Sequence, residues 1–156
     1  IWSAERDGWN HFYLYDAEKS VVKNQITKGE WVIRSIDHID EANRVLYFSG
    51  AGREAGRDPY LRHAYRVNLD GTGLTLLTPE DAEAMFASVV WFDWKAPPEL
   101  LKQYEGMHVA ILGEEIIDAD RDLKELARRL DEKGDALRNR VVIRYIPTEE
   151  EAWLHY

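Results

Sequence analysis

The chain of 156 residues has no cysteine. Disulfides and cysteine-ligated metal centres are therefore excluded, and the redox compartment is not written in the sequence. No stretch reaches the roughly 18 consecutive apolar residues of a membrane-spanning helix, so no membrane partner is expected. Positive charge is scarce and scattered: 20 basic against 29 acidic side chains give a net charge of −9. Residues 1–96 carry 15 acidic and 11 basic groups, and residues 97–156 carry 14 and 9. A nucleic-acid partner, which requires clustered cations to displace counterions, is not expected. There is no HExxH motif and no cysteine ligand, so no zinc site is expected. No signal-peptide pattern opens the chain. It begins Ile1-Trp2-Ser3 without methionine, which points to a mature product or an excised fragment.

Aromatic residues are plentiful, with six Trp and eight Tyr. In the first half they fall in alternating runs, which favours sheet. Residues 63–78 read HAYRVNLDGTGLTLLT, and residues 11–27 read HFYLYDAEKSVVKNQIT. His11 aligns with His63, Tyr13 with Tyr65, Asp16 with Asn68 and Thr27 with Thr78, at an offset of 52 falling to 51. An internal repeat of this size sets the architecture. Strands are predicted at 1–5, 11–16, 21–27, 31–36, 45–48, 62–68 and 74–78, with residues 37–44 and 49–60 as connections. The last four form one four-stranded blade. The first three are the end of a preceding blade, in which Trp2-Ser3 aligns with Phe48-Ser49.

Beyond residue 82 the pattern changes. Residues 83–96 contain Val89-Val90-Trp91-Phe92-Asp93-Trp94, read as a linker or one more strand, and Ala96-Pro97-Pro98 stops it. Residues 97–156 then read as α-β-β-α-β. A short helix ends at Gly106, and strands follow at 107–112 and 115–119. Asp120 is the expected N-cap of a helix whose Leu123, Leu126, Ala127 and Leu130 share one face. The third strand is 141–146, and Thr148 with Glu151 forms a capping-box pattern opening a terminal helix at 148–156. The fold class is α+β: an antiparallel β-meander of propeller-blade type (1–82), then a small αββαβ domain (97–156).

The segments WSAERDGWNHFYLYD, NQITKGEWVIRSIDHID and GREAGRDPYLRHAYRVNLDGTGLTLLTPED resemble about two blades of the N-terminal β-propeller of dipeptidyl peptidase IV-like enzymes, the bacterial branch of the prolyl oligopeptidase family of serine peptidases. The resemblance implies a propeller that caps an α/β-hydrolase domain and filters peptide access. The nucleophile elbow G-x-S-x-G is not in this sequence, nor is an adjacent Glu pair in residues 1–82 of the kind with which the family binds a substrate's amino terminus. No catalytic residue is therefore carried over, and the chain is expected not to be an enzyme. LLKQYEGMHVAILGEEIIDADRDLKELARRLDEKG with VVIRYIP is similar to a small prokaryotic domain family of unknown function. Two such resemblances in one chain point to a chimera. They also conflict on compartment: propeller relatives are usually exported, and the second segment looks cytoplasmic.

Isolated motifs weigh less. Gly50, Gly52 and Gly56 are spaced G-x-G-x-x-x-G, one residue off a dinucleotide loop, and Asp58-Pro59 stands where a helix is needed. Asp118, Asp120 and Asp122 mimic the start of a calcium loop, but Leu123 and Arg129 hold the positions that require Gly and Glu. His11 and His63 lie on separate blades, where each ring bonds within its own blade. Glu114 and Glu115 are adjacent and point to opposite faces of a strand. The serines lack an elbow context. Trp2, Trp9, Tyr13, Tyr15, Trp31, Tyr47 and Phe48 read as inter-blade packing. The binding candidates are Arg53, Arg57, Asp58 and Arg62, on a long loop facing a peptide or protein partner. Against this stands a purely local role, with Asp58 and Arg62 bracing the loop as an ion pair. No cofactor and no metal are expected. Exposed strand edges predict a homo-oligomer.

Overall fold

A computed structural model describes residues 1–153. It divides into two compact units, Ile1–Thr78 and Pro79–Tyr156. The division falls after Thr78, four residues before the expected bound at 82.

The first unit holds two antiparallel meanders. Strands β1 (Trp2–Ala4), β2 (His11–Asp16) and β3 (Val21–Gln25) form one sheet, and β4 (Val32–Asp40), β5 (Val45–Ala51), β6 (Arg62–Asn68) and β7 (Thr75–Leu76) form the other. Strand β4 runs through residues expected to be connection, because Ile39 and Asp40 pair with Leu46 and Val45. Likewise β5 continues to Ala51, and Ser49, Gly50 and Ala51 pair with Ala64, His63 and Arg62.

The repeat extends to backbone register around the inner strands, although β2 and β3 pair further, past a bulge after Leu14. Trp2, Ser3 and Ala4 face Tyr13, Phe12 and His11. Phe48, Ser49 and Gly50 face Tyr65, Ala64 and His63. Tyr13 and Leu14 face Gln25 and Asn24, as Tyr65 and Arg66 face Leu76 and Thr75. The strand ends close alike: the Ile26 amide donates to the Phe12 carbonyl at 2.8 Å, and the Leu77 amide to the Ala64 carbonyl at 2.9 Å.

Side chains alternate across a strand. Phe12 and Leu14 leave the first sheet on one face and join Ile26, Trp31, Ile33, Leu46, Phe48, Tyr65, Val67 and Leu69 in a single core. Within it the Phe12 and Phe48 rings meet edge-on at 5.5 Å, and Phe48 stacks on Tyr65 at 5.5 Å. Gly50 is required where Trp31 crosses β5, since a Cβ there would lie 2.7 Å from Cζ3 of the indole.

In the second unit the stretch 83–96 is neither linker nor strand. Helix α1 (Pro79–Val90) passes into a π-helical turn at Trp91–Lys95. Pro79 opens the helix, with Glu80 and Asp81 in its first turn favouring the dipole. Ser88 accepts the Gly113 amide at 2.8 Å and donates to the Ala84 carbonyl, and Arg140 donates to Asp81 at 2.6 Å. Trp91 packs with Val109, Ile111 and Ile146. These tertiary contacts outweigh the β-propensity of Val89, Val90 and Phe92.

The remaining elements are α2 (Pro98–Lys102), β8 (Met107–Leu112), β9 (Glu115–Asp120), α3 (Leu123–Glu132), α4 (Asp135–Arg138), β10 (Val142–Ile146) and α5 (Glu149–Trp153), in the expected order but for the short helix α4, which was not expected. The sheet is antiparallel in the order β10-β8-β9. Asp122, not Asp120, caps α3 by accepting the Lys124 amide at 2.8 Å. Thr148 and Glu151 form the expected capping box, the Thr148 amide donating to Glu151 at 2.9 Å and the Glu151 amide to Thr148 at 3.3 Å. The expected helix end at 154–156, including His155, lies outside the described residues.

Phe48→Ala removes a ring that is fully buried and should lower the unfolding free energy of the first unit by about 3–5 kcal/mol. Urea denaturation followed by near-ultraviolet circular dichroism measures this. A loss below about 1 kcal/mol, the net worth of one ordinary hydrogen bond, would contradict the assigned core.

Candidate functional site

The loop between β5 and β6 carries Arg53, Arg57 and Asp58, and Arg62 opens β6, paired with Ala51. Arg53 is held: its guanidinium donates to Glu54 Oε1 at 2.9 Å and lies over the Tyr65 ring, 5.7 Å from the centroid. Tyr65 donates its hydroxyl to the same carboxylate oxygen at 3.0 Å. Asp58 accepts the Tyr60 amide at 2.9 Å and braces the loop tip as an Asx turn. The Leu61 amide donates to the Asp58 carbonyl at 3.1 Å. Among the described residues no ion pair joins Asp58 to Arg62, so the expected local brace is built by Arg53, Glu54 and Tyr65 instead. Arg57 and Arg62 are exposed, beside the exposed Tyr60 and Leu61.

Glu54 is the member of this cluster that sequence reasoning missed. Partial burial works against its charge, but the hydrogen bonds from Tyr65 and Arg53 prevail and hold its carboxyl below the usual range. Burial, reinforced by the adjacent carboxylate, pushes the Tyr65 phenol up to about 12.

The arginine-over-tyrosine contact recurs in the first sheet, without the carboxylate bridge. Arg6 lies over the Tyr13 ring at 5.4 Å, and the next residue, Asp7, accepts from Gln25 at 3.0 Å. Arg6 over Tyr13 thus corresponds to Arg53 over Tyr65, while Asp7 is bonded to Gln25 where Glu54 is bonded to Tyr65. Beside this pair lies an open cavity of about 320 Å³, lined by Trp2, Arg6, Tyr13, Tyr15 and Val22.

His11 and His63 are not used alike. Thr27 Oγ1 accepts the Phe12 amide at 3.0 Å and lies 3.1 Å from His11 Nδ1, while His11 Nε2 donates to the Gly29 carbonyl at 2.8 Å. That pattern requires Thr27 to donate to Nδ1. His63 Nε2 is buried with no hydrogen-bond partner among the described residues. In the second unit Arg129, at the position where a calcium loop needs Glu, donates to Asp118 at 3.0 Å and to Asp120 at 2.7 Å. Its hydrogen bonds hold both carboxyls below the usual range.

Residues 1–96 match the family described as Dipeptidyl peptidase IV (DPP IV) N-terminal region. The chain belongs to this family. The match passes Thr78 and includes the helical residues 79–96. Residues 99–149 match a second family, of unknown function (DUF5678). Among curated relatives, "Dipeptidyl peptidase 4" of Arthroderma otae is 32% identical over 87 residues, 54% of this chain and 10% of the relative. "Probable dipeptidyl-aminopeptidase B" of Arthroderma gypseum is 34% identical over 101 residues, 64% of this chain and 10% of the relative. "Probable dipeptidyl-aminopeptidase B" of Fusarium vanettenii is 26% identical over 136 residues, 81% of this chain and 14% of the relative. The chain therefore spans about a tenth of the length of the relatives it matches.

The Tyr65 phenol, raised in the folded state, stabilises the protein fully below its unfolded value near 10, and that contribution is lost as pH rises towards about 12. Glu54 acts at the other end: its contribution is present above its unfolded value and lost as pH falls through the lowered folded one. Phenolate absorbance should show a late-titrating tyrosine that disappears in Tyr65→Phe and shifts downward in Glu54→Gln. An unchanged late titration in both variants would remove the assignment.

Proposed function

We propose that this chain is a non-catalytic binding and scaffolding part of a dipeptidyl peptidase-like protein. One observation carries the reading: apart from His63, the polar groups of the first unit that resemble site residues are largely committed to contacts that brace their own meander. His11 bonds to Thr27 and Gly29. Arg53 and Glu54 clamp Tyr65, as Arg6 covers Tyr13. The side chains left to meet a peptide or protein partner are Arg57 and Arg62, with Tyr60 between them on the loop. Their chemistry suits a partner that offers carboxylates at its rim.

A second reading follows from the share of the relatives that is covered. The chain corresponds to a segment of a serine exopeptidase of the prolyl oligopeptidase family, and the hydrolase domain is carried elsewhere in the protein. Under both readings residues 1–156 contribute no nucleophile.

The purified chain, assayed on a fluorogenic X-Pro dipeptide substrate with its solution mass recorded in the same run, should show no turnover. Turnover that survives repurification and is abolished by a serine-reactive inhibitor would overturn the non-catalytic assignment.

A further inference from the structure

Helix α1 and the π-helical turn that continues it are apolar on two opposite faces. On one face Asp81, Met85, Ser88 and Trp91 are buried, and Asp81, Ser88 and Trp91 meet Arg140, Gly113 and Val109. At about 100° per residue, Phe86, Ala87 and Val90 fall on the far side, and Trp94 extends that row into the turn. Phe86 is 40%, Val90 46% and Trp94 85% exposed. A helix packed by one face is ordinarily polar on the other. The charges at the two ends of the row say what it fits. Glu80 and Glu83 stand at its N-terminal end and Lys95 at its C-terminal end, all exposed. An order of acid, apolar, base is complementary to itself when reversed. With a second copy turned antiparallel about Val90, Trp94 of one chain lies against Phe86 of the other. Glu83 then lies within about 3 Å of the other Lys95 along the axis, at about 1.5 Å per residue. A parallel pairing would instead set Glu83 against Glu83 and Lys95 against Lys95. Lys95 can turn to this role, because its ion pair with Glu114 at 3.3 Å is exposed on both sides and such pairs hold weakly. A lipid surface fits less well, since interfacial helices are flanked by Lys and Arg, and this face is flanked chiefly by Glu80, Glu83 and Asp93.

We infer that the face formed by Phe86, Ala87, Val90 and Trp94 joins two copies of the chain, α1 against α1, antiparallel and isologous. Trp94 is the anchor, as a large aromatic side chain at the centre of an interface commonly is. One helix face buries less than the roughly 800 Å² per partner of a standard interface, so the dimer is weak and forms with rising concentration. The surface is distinct from the strand edges from which self-association is expected in the sequence. It belongs to the second unit and stands apart from the reading of the first.

Sedimentation equilibrium of the whole chain, from about 5 μM to about 1 mM, should show the mass rising from one chain towards two, half-complete within that range. Trp94→Ser and Val90→Ser should each weaken association at least about fivefold. Glu83→Lys alone and Lys95→Glu alone should each weaken it at least about threefold, by setting like charges against each other at both ends. Equal amounts of these two single variants, mixed, should regain the affinity of the unaltered chain, because every clash then becomes an opposite-charge pair. All four positions are exposed, and circular dichroism of each variant checks that it folds. A mass of one chain at about 1 mM overturns the proposal. A dimer indifferent to Trp94→Ser overturns it in favour of the strand edges. Charge variants that leave the dimer unchanged, or that mixing does not restore, overturn the antiparallel pairing. Binding to vesicles of phosphatidylcholine and phosphatidylglycerol, lost in Trp94→Ser, by a chain that stays monomeric in solution overturns it in favour of a membrane surface.

Discussion

The first unit depends on one threonine hydroxyl. Thr27 Oγ1 takes the Phe12 amide and reaches the His11 ring, whose far nitrogen holds the Gly29 carbonyl. These bonds turn the chain sharply after β3 and deliver Trp31 between the two sheets, where its ring meets His11, Phe48 and Tyr65. A buried hydroxyl and imidazole would each be costly without partners. Here they satisfy each other and two backbone groups, so the polar cluster fixes the geometry in which the apolar faces meet. Gly50 completes it by leaving space for the indole.

The two sheets share the register of their inner strands and one accessory contact. An arginine covers the aromatic ring of each inner strand, and an acidic residue follows it. The difference lies in cover. One tyrosine face is closed by Phe12 and Leu14, and its counterpart carries Trp2 and Tyr15 at the surface. This inequality between equivalent faces is what the scaffolding proposal draws on. The second unit follows different rules. There Arg129 neutralises Asp118 and Asp120, and Trp91 anchors α1 on a small antiparallel sheet.

Much of the fold was legible because it rests on period. Alternation placed β2 and β6, and the repeat of His11 and Thr27 at His63 and Thr78 placed the blades. The helical periodicity of Leu123, Leu126 and Leu130 placed α3. Residues 79–96 were not legible, because Val89-Val90-Trp91-Phe92 has the composition of a strand. Its helical state depends on Ser88, Asp81 and Trp91 meeting residues distant in sequence. The cap of α3 was misplaced by two residues, since the run Asp118-Ala119-Asp120-Arg121-Asp122 offers three aspartates and only the geometry chooses Asp122. Of the candidate loop, Arg53 is structural and Asp58 braces the tip. Glu54 was missed because an acid follows the arginine in both sheets, at Asp7 and at Glu54, and only the fold shows that Glu54 reaches the tyrosine while Asp7 reaches Gln25.

The central claim is that two equivalent sheets stack with Phe12 of the first against Phe48 of the second. Nuclear Overhauser contacts between aromatic side chains test it most directly. The expected result is a cross-peak joining Phe12 to Phe48 and another joining Phe48 to Tyr65, at ring separations of 5.5 Å. A spectrum that retains the cross-strand Phe48–Tyr65 contact but lacks any contact from Phe12 to Phe48 would contradict the account, because each meander would then exist without the stacking that makes them blades.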